Sequence, residues 1–241
     1  MKLLLENWSK FLNESSPIDK AINKGLGLTV LTRENGGLVI VYDAKNIIDI
    51  FEHYKKYDPD KISEPYKVMD ILERNIDVLA GVRFSKPDYS KGECNNAYEV
   101  INSASKKDSK LGPSAYEAAL FYFNGLAPDR LTVKPGAEKV WSIYNKRADS
   151  GEVEKKPFDD IDSKQKRTPD DTSDDCVLHK GKDHLNYSYN IKSRPSGLKE
   201  LEDNHVKVLI TLTQLGINQN RFLYRLSGMF DHLFMSRYSS W

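Results

Sequence analysis

The sequence predicts a mixed α/β fold of the α+β kind: a sheet flanked by helices, with a helical C-terminal extension. Three patterns predict it. Residues 26–32 (LGLTVLT) and 38–43 (LVIVYD) are β-branched apolar runs flanking Arg33-Glu34-Asn35-Gly36-Gly37, and Asn-Gly between such runs signals a hairpin. From Asp43 the apolar spacing changes to that of a helix, with Ile47, Ile48, Phe51 and Tyr54 on one side until Asp58-Pro59. After Pro195 only helical periods remain.

The elements follow in order. Leu4, Trp8, Phe11 and Leu12 share the face of an amphipathic helix ending near Asn13, and Glu6, Trp8 and Lys10 spoil a signal-peptide reading. Behind the hairpin and its helix, residues 64–74 form a second helix through Tyr66, Met69 and Leu72. Residues 76–84 and 97–104 read as strands across a turn containing Pro and Gly. Pro113 behind Gly112 opens the next helix, whose apolar face is Tyr116, Ala119, Leu120 and Phe123, and Gly125 stops it. Residues 126–133 carry a faint strand pattern. Pro135 starts another helix through Ala137, Val140, Trp141 and Tyr144. Residues 185–191 alternate as a strand does. Leu198, Leu201, His205, Val208, Leu209 and Leu212 then share a helical face, Gly216 breaks it, and residues 222–238 form an aromatic-rich last helix.

In residues 151–175, 14 of 25 side chains are charged, so this stretch reads as a solvated loop. The chain therefore divides into an amphipathic segment 1–16, a core 17–150, a charged loop 151–176, and a strand with C-terminal helices over 177–241.

Composition excludes several classes. Thirty-six basic residues against 35 acidic leave no global field toward nucleic acid or anionic lipid. No apolar run reaches the ~20 residues of a membrane span. Two cysteines, Cys94 and Cys176, make no disulfide framework and suit a reducing compartment. Cys176, His179 and His184 beside Asp174 and Asp175 fit no four-ligand zinc spacing, so no metal is expected.

Strands, paired helices, antiparallel strands and a Gly-containing loop opening a helix resemble the GNAT-type N-acetyltransferase fold, a mixed and mostly antiparallel sheet. The likeness is most specific over residues 97–147. There GPSAYEAAL, the Gly125-Leu126-Ala127-Pro128-Asp129-Arg130 turn and Ala137-x-x-x-Trp141 are similar to a GNAT-like group in phage genomes. The resemblance implies acetyl-CoA as cofactor. Its fourth strand would splay from the fifth, so that backbone groups around Asn102, Ala104 and Ser105 meet the pantetheine arm. Lys107, Ser109, Lys110, Gly112 and Ser114 would hold the pyrophosphate at a helix N-terminus, where orphan N–H groups and the helix dipole favour an anion. Lys110 stands where the family's loop has its first glycine.

Acetyl transfer needs a base for the amine and an acid for the departing thiolate. Glu99 is the candidate base, with Glu93 behind it, although strand alternation alone also turns a polar residue outward. Trp141 occupies the place of the family's acidic Tyr, and an indole N–H cannot give up a proton at neutral pH. Tyr144, one turn on, is the candidate substitute. Lys106, Lys107 and Lys110 serve either a phosphate or a solvated face. Phe222, Leu226, Phe230, Leu233 and Phe234 read as core or an oligomer surface.

The start MKLLLENW running to Leu12-Asn13-Glu14 resembles capsid-targeting sequences of phage head proteins, which a prohead protease cuts after Glu. Two functions follow as expectations. One is a phage acetyltransferase acting on an unidentified amine. The other is an inactive protein of the same fold, packaged in the virion or binding a host protein. Either would be found in the host cytoplasm or the phage head.

Overall fold

A computed structural model describes residues 17–18, 24–86, 97–123, 125–129, 132–157 and 181–238. The amphipathic segment 1–16, Glu93, Cys94, Arg130, Asp174, Asp175, Cys176 and His179 lie outside them. Strand β1 (Leu26–Arg33) turns through Glu34 and Asn35 into β2 (Gly36–Asp43), with Arg33 paired to Gly36. A Cβ at Gly36 would lie 2.2 Å from the Phe84 carbonyl oxygen, so this side of the turn admits only glycine. Asp43 then caps α1 (Ala44–Tyr57), its carboxylate accepting from the Asn46 N–H at 2.9 Å. Helix α2 (Pro65–Asn75), β3 (Val78–Ser85), β4 (Tyr98–Ser105), α3 (Gly112–Tyr122), β5 (Leu126–Ala127) and α4 (Pro135–Asp149) follow. The described chain continues with β6 (Glu154–Pro157), β7 (Tyr187–Asn190), α5 (Leu198–Gln214) and α6 (Gln219–Tyr238).

The described strands form one seven-stranded sheet in the order β1-β2-β3-β4-β5-β7-β6. Every pairing is antiparallel except β4 with β5. The mixed, mostly antiparallel α+β class expected from the sequence is the class observed.

Period-two alternation splits the apolar residues between two cores. On β2, Val39 and Val41 point into a core with Tyr116, Leu120, Trp141 and Tyr144 of α3 and α4. Leu38, Ile40 and Tyr42 point the other way, onto Phe51 of α1, Leu72 of α2, and Phe222 and Phe230 of α6. Phe222, Leu226 and Phe230 are therefore core. Helix α5 serves both sides: Leu198 and Leu201 enter the first core, Val208 and Leu212 the second. The C-terminal helices are thus integral to the fold.

Two expectations need correction. The strand signal over 126–133 contracts to Leu126–Ala127, because Pro128 follows at once and cannot donate to a ladder. The charged loop 151–176 loses its first residues to β6, an edge strand anchored by the buried Val153. Among the described residues no helix is long and apolar enough to cross a membrane.

One polar pair inside the second core makes a testable prediction. The Tyr42 hydroxyl, fully buried, lies 2.7 Å from His205 Nδ1. Burial pushes the His205 imidazole down to about 4, so the folded protein holds it neutral. The unfolded chain, near 6.5, binds the proton more readily between those values. Stability should therefore fall as pH drops from about 6.5 to about 4, and this term should level off below that. After allowance for the ring's partial exposure the loss is about 2 kcal/mol. Denaturant melts of wild type and His205→Gln across this range should converge at low pH as the wild type loses its advantage. Parallel curves would remove His205 as the cause.

Candidate functional site

The segment from β4 to α3 is built from its ends inward. Strand β4 pairs with β5 only at Tyr98–Leu126 and Glu99–Ala127, then continues to Ser105 beside β3 alone. A bulge aids the departure. Phe84 faces Val100 and Arg83 faces Asn102, so Ile101 is the extra residue and stands 41% exposed. The bulge also changes which way the side chains face. Val100 enters the first core, whereas Ala104 packs toward the second. Lys106 N–H reaches Leu79 O on β3, so Ala104 and Asn102, two and four residues earlier, turn their backbone groups to β3 as well, and it is Ser103 whose backbone faces the open edge.

At the far end of β4 the chain is fixed to β3. The Lys106 N–H donates to Leu79 O at 2.7 Å, and its ammonium pairs with Asp77. Ser109 N–H closes a turn on Lys106 O at 3.1 Å. Asp108 and Lys110 take left-handed backbone conformations, at φ 63° and 59°. For a lysine this costs about 1–3 kcal/mol, which the surroundings must offset. They do so through Leu111, buried in the first core, whose N–H donates to Ser109 Oγ at 3.3 Å. Lys110 thus adopts a conformation that a glycine would take freely, with its side chain exposed.

Helix α3 then begins without a side-chain cap. Its first-turn donors are left to solvent or a ligand, at the positive end of the helix dipole. The Ser114 hydroxyl is not among them. It is buried and donates to Pro17 O at 2.9 Å, leaving only the Ser114 N–H for an anion.

The candidate catalytic groups do not come together. Glu99 is half-buried at the β4–β5 junction, about 20 Å along β4 from Ser105. Tyr144 is buried, and its hydroxyl faces Pro113 O at 3.4 Å, in the first turn of α3. The two therefore lie toward opposite ends of β4. Burial raises the Tyr144 phenol well above its usual range, with the Glu117 carboxylate adding to the effect. A donor that releases its proton less readily than free tyrosine is a poor acid. Trp141 is 1% exposed, stacked on Tyr189 at 5.6 Å and edge-on to Tyr116 at 5.4 Å. It is a core residue.

Sequence reasoning missed the polar groups inside this core. Tyr116 belongs to the expected apolar face, yet its hydroxyl donates to Ser103 Oγ on β4 at 2.9 Å. Burial pushes that phenol up to about 12. Glu117 is fully buried, accepting from Arg147 Nη1 and from the Ile18 N–H, both at 2.9 Å. The available signal was a helix buried on all sides with one carboxylate in it, which demands a partner. A separate cleft of about 310 Å³ lies beside β5, β6 and β7, away from residues 106–112. Comparison with protein-family models, curated proteins and solved structures returned no match.

Proposed function

We propose that the protein is a GNAT-like acyltransferase that moves an acetyl group from acetyl-CoA to an amine. The observation that carries this is the departure of β4 from β5 after Glu99, with the open edge leading to the left-handed Lys110 and the uncapped start of α3. An open strand edge suits an extended amide-bearing arm, and the uncapped helix suits a pyrophosphate. Bound there, acetyl-CoA would supply an activated thioester. Lys107 and Lys110 offer ammonium groups, and Gly112 and Ser114 offer backbone N–H donors. Glu99 takes the proton that the amine nitrogen loses on bonding to the acyl carbon, while the carbon–sulfur bond breaks and solvent protonates the thiolate. Tyr144, turned to Pro113, has no part in that exchange, so Tyr144→Phe should leave any turnover unchanged.

Calorimetry with acetyl-CoA tests the reading. Micromolar affinity, about −8 kcal/mol, is expected, weakening as salt rises because the contacts are charge-assisted. No saturable heat at millimolar acetyl-CoA would end it.

A second reading draws on the burial of Trp141 and Tyr144, which leaves neither of them to protonate a departing thiolate at the junction. On it the chain is a non-catalytic phage protein, carried in the virion or bound to a host protein in the host cytoplasm. If a prohead protease acts after Glu14, the chain in purified particles starts at Ser15. Mass spectrometry finding Met1 there, or no such chain, would remove the packaging idea.

A further inference from the structure

We infer that the cleft beside β6 and β7 binds a small amine that also carries a carboxylate or phosphate. This names the acceptor class for the proposed transfer and rests on that reading for its catalytic meaning. Strand register sets the geometry. Glu99 pairs with Ala127, Leu126 with Tyr189, and Lys156 with Ser188. Antiparallel register then sets Ala127 opposite Ser188. Glu99, Ala127, Ser188 and Lys156 thus form one row across four adjacent strands, about 14 Å from end to end.

All four lie on one face of the sheet. Lys155 and Tyr189 turn to α4, where Lys155 Nζ meets Asn145 and Asp149 and Tyr189 stacks on Trp141. Their neighbours Lys156 and Ser188 therefore face away from α4. Tyr98 and Val100 pack into that same first core, so Glu99 also faces away. The row has a carboxylate at one end, an ammonium at the other, and the small Ala127 and Ser188 between them.

The cleft occupies the Lys156–Ser188 end of this row, lined also by Gly125, Glu154, Asn190 and Lys192, and Ala127 beyond it is fully buried. Its volume of about 310 Å³ is at the small end of ligand sites, suited to an amino-acid-sized molecule. Gly125, immediately before β5, is two residues from Ala127, which puts it about 8 Å from Glu99. Electrostatics then selects the ligand. Glu154 and Lys192 neutralise each other at 3.1 Å. Lys156 has no ion-pair partner among the described residues and leaves the cleft net positive. An anionic group settles at Lys156 and the amine lies toward Glu99. A polyamine or a protein lysine brings no charge for Lys156 and is repelled by it.

Calorimetry on the full chain without acetyl-CoA tests this, with O-phosphoserine as the anionic amine and spermidine as the polycation. Phosphoserine should bind saturably and spermidine should not. Lys156→Gln and Lys156→Glu should weaken phosphoserine at least tenfold with the melting temperature unchanged, since Lys156 is exposed. Absence of phosphoserine binding, affinity indifferent to either variant, or equal binding of spermidine overturns the inference. If phosphoserine binds through Lys156 while acetyl-CoA does not bind, the site stands and the acyl-transfer reading falls. If only acetyl-CoA binds, the reverse holds.

Discussion

Replacing Arg147 by alanine is expected to lower the unfolding free energy by about 3–5 kcal/mol, the cost of leaving a buried carboxylate without its partner. The Glu117 side chain is 1% exposed, and Arg147 Nη1 donates to it at 2.9 Å. The other carboxylate on Arg147, Glu152, is 59% exposed at 3.0 Å, so Glu152→Ala should cost no more than about 1 kcal/mol. Urea denaturation of the two variants separates these cases. Adding Glu117→Gln to Arg147→Ala should recover part of the loss, because the amide oxygen still accepts from Ile18 N–H while the buried charge is gone. A loss below about 1 kcal/mol for Arg147→Ala would mean that water reaches Glu117 after all.

Gly112→Asp should abolish acetyl-CoA binding, with a loss of at least about a hundredfold, while leaving the fold intact or slightly steadier. The two effects have opposite signs for a physical reason. A Cβ at Gly112 would meet only Ser105 Oγ and Cβ, at 3.4 and 3.5 Å, which is ordinary contact. An aspartate in the first turn also complements the helix dipole, worth about 0.3–1 kcal/mol. The same negative charge stands where a pyrophosphate must approach the backbone, and there it repels. Binding that survives this substitution would move the cofactor away from α3, whatever the fold.

The sequence made β2 legible because a strand apolar on both faces has few alternative readings. Helix α1 was legible because Ile47 and Phe51 keep a helical spacing behind a capping Asp43. Strand β6 was not: Glu-Lys-Lys-Pro has the composition of a loop, and edge strands use such charges and prolines to discourage pairing with other chains. The candidate loop was visible through Gly112-Pro113 at a helix start. The left-handed backbone of Lys110 was not, since no lysine preference announces it and the buried Leu111 enforces it from one residue away. The distance between Glu99 and Tyr144 was hidden for another reason. It depends on how far β4 travels after leaving β5, and only the sheet order defines that.

The way α6 meets the sheet bears on how the chain is made. Gly81 on β3 lies against Phe230, where even a Cβ would come within 2.5 Å of the ring. At ribosomal speeds of about 5–20 residues per second, roughly 7–30 s separate the synthesis of these two partners. Through that interval α1 and α2 can shelter part of the nascent sheet, but the surface reserved for Phe222, Leu226 and Phe230 stays wet. A newborn chain therefore presents an apolar strip to whatever holdase is nearby. Slowing translation ahead of residue 219 should lengthen that exposure and raise aggregation, with no change in the stability of the finished protein.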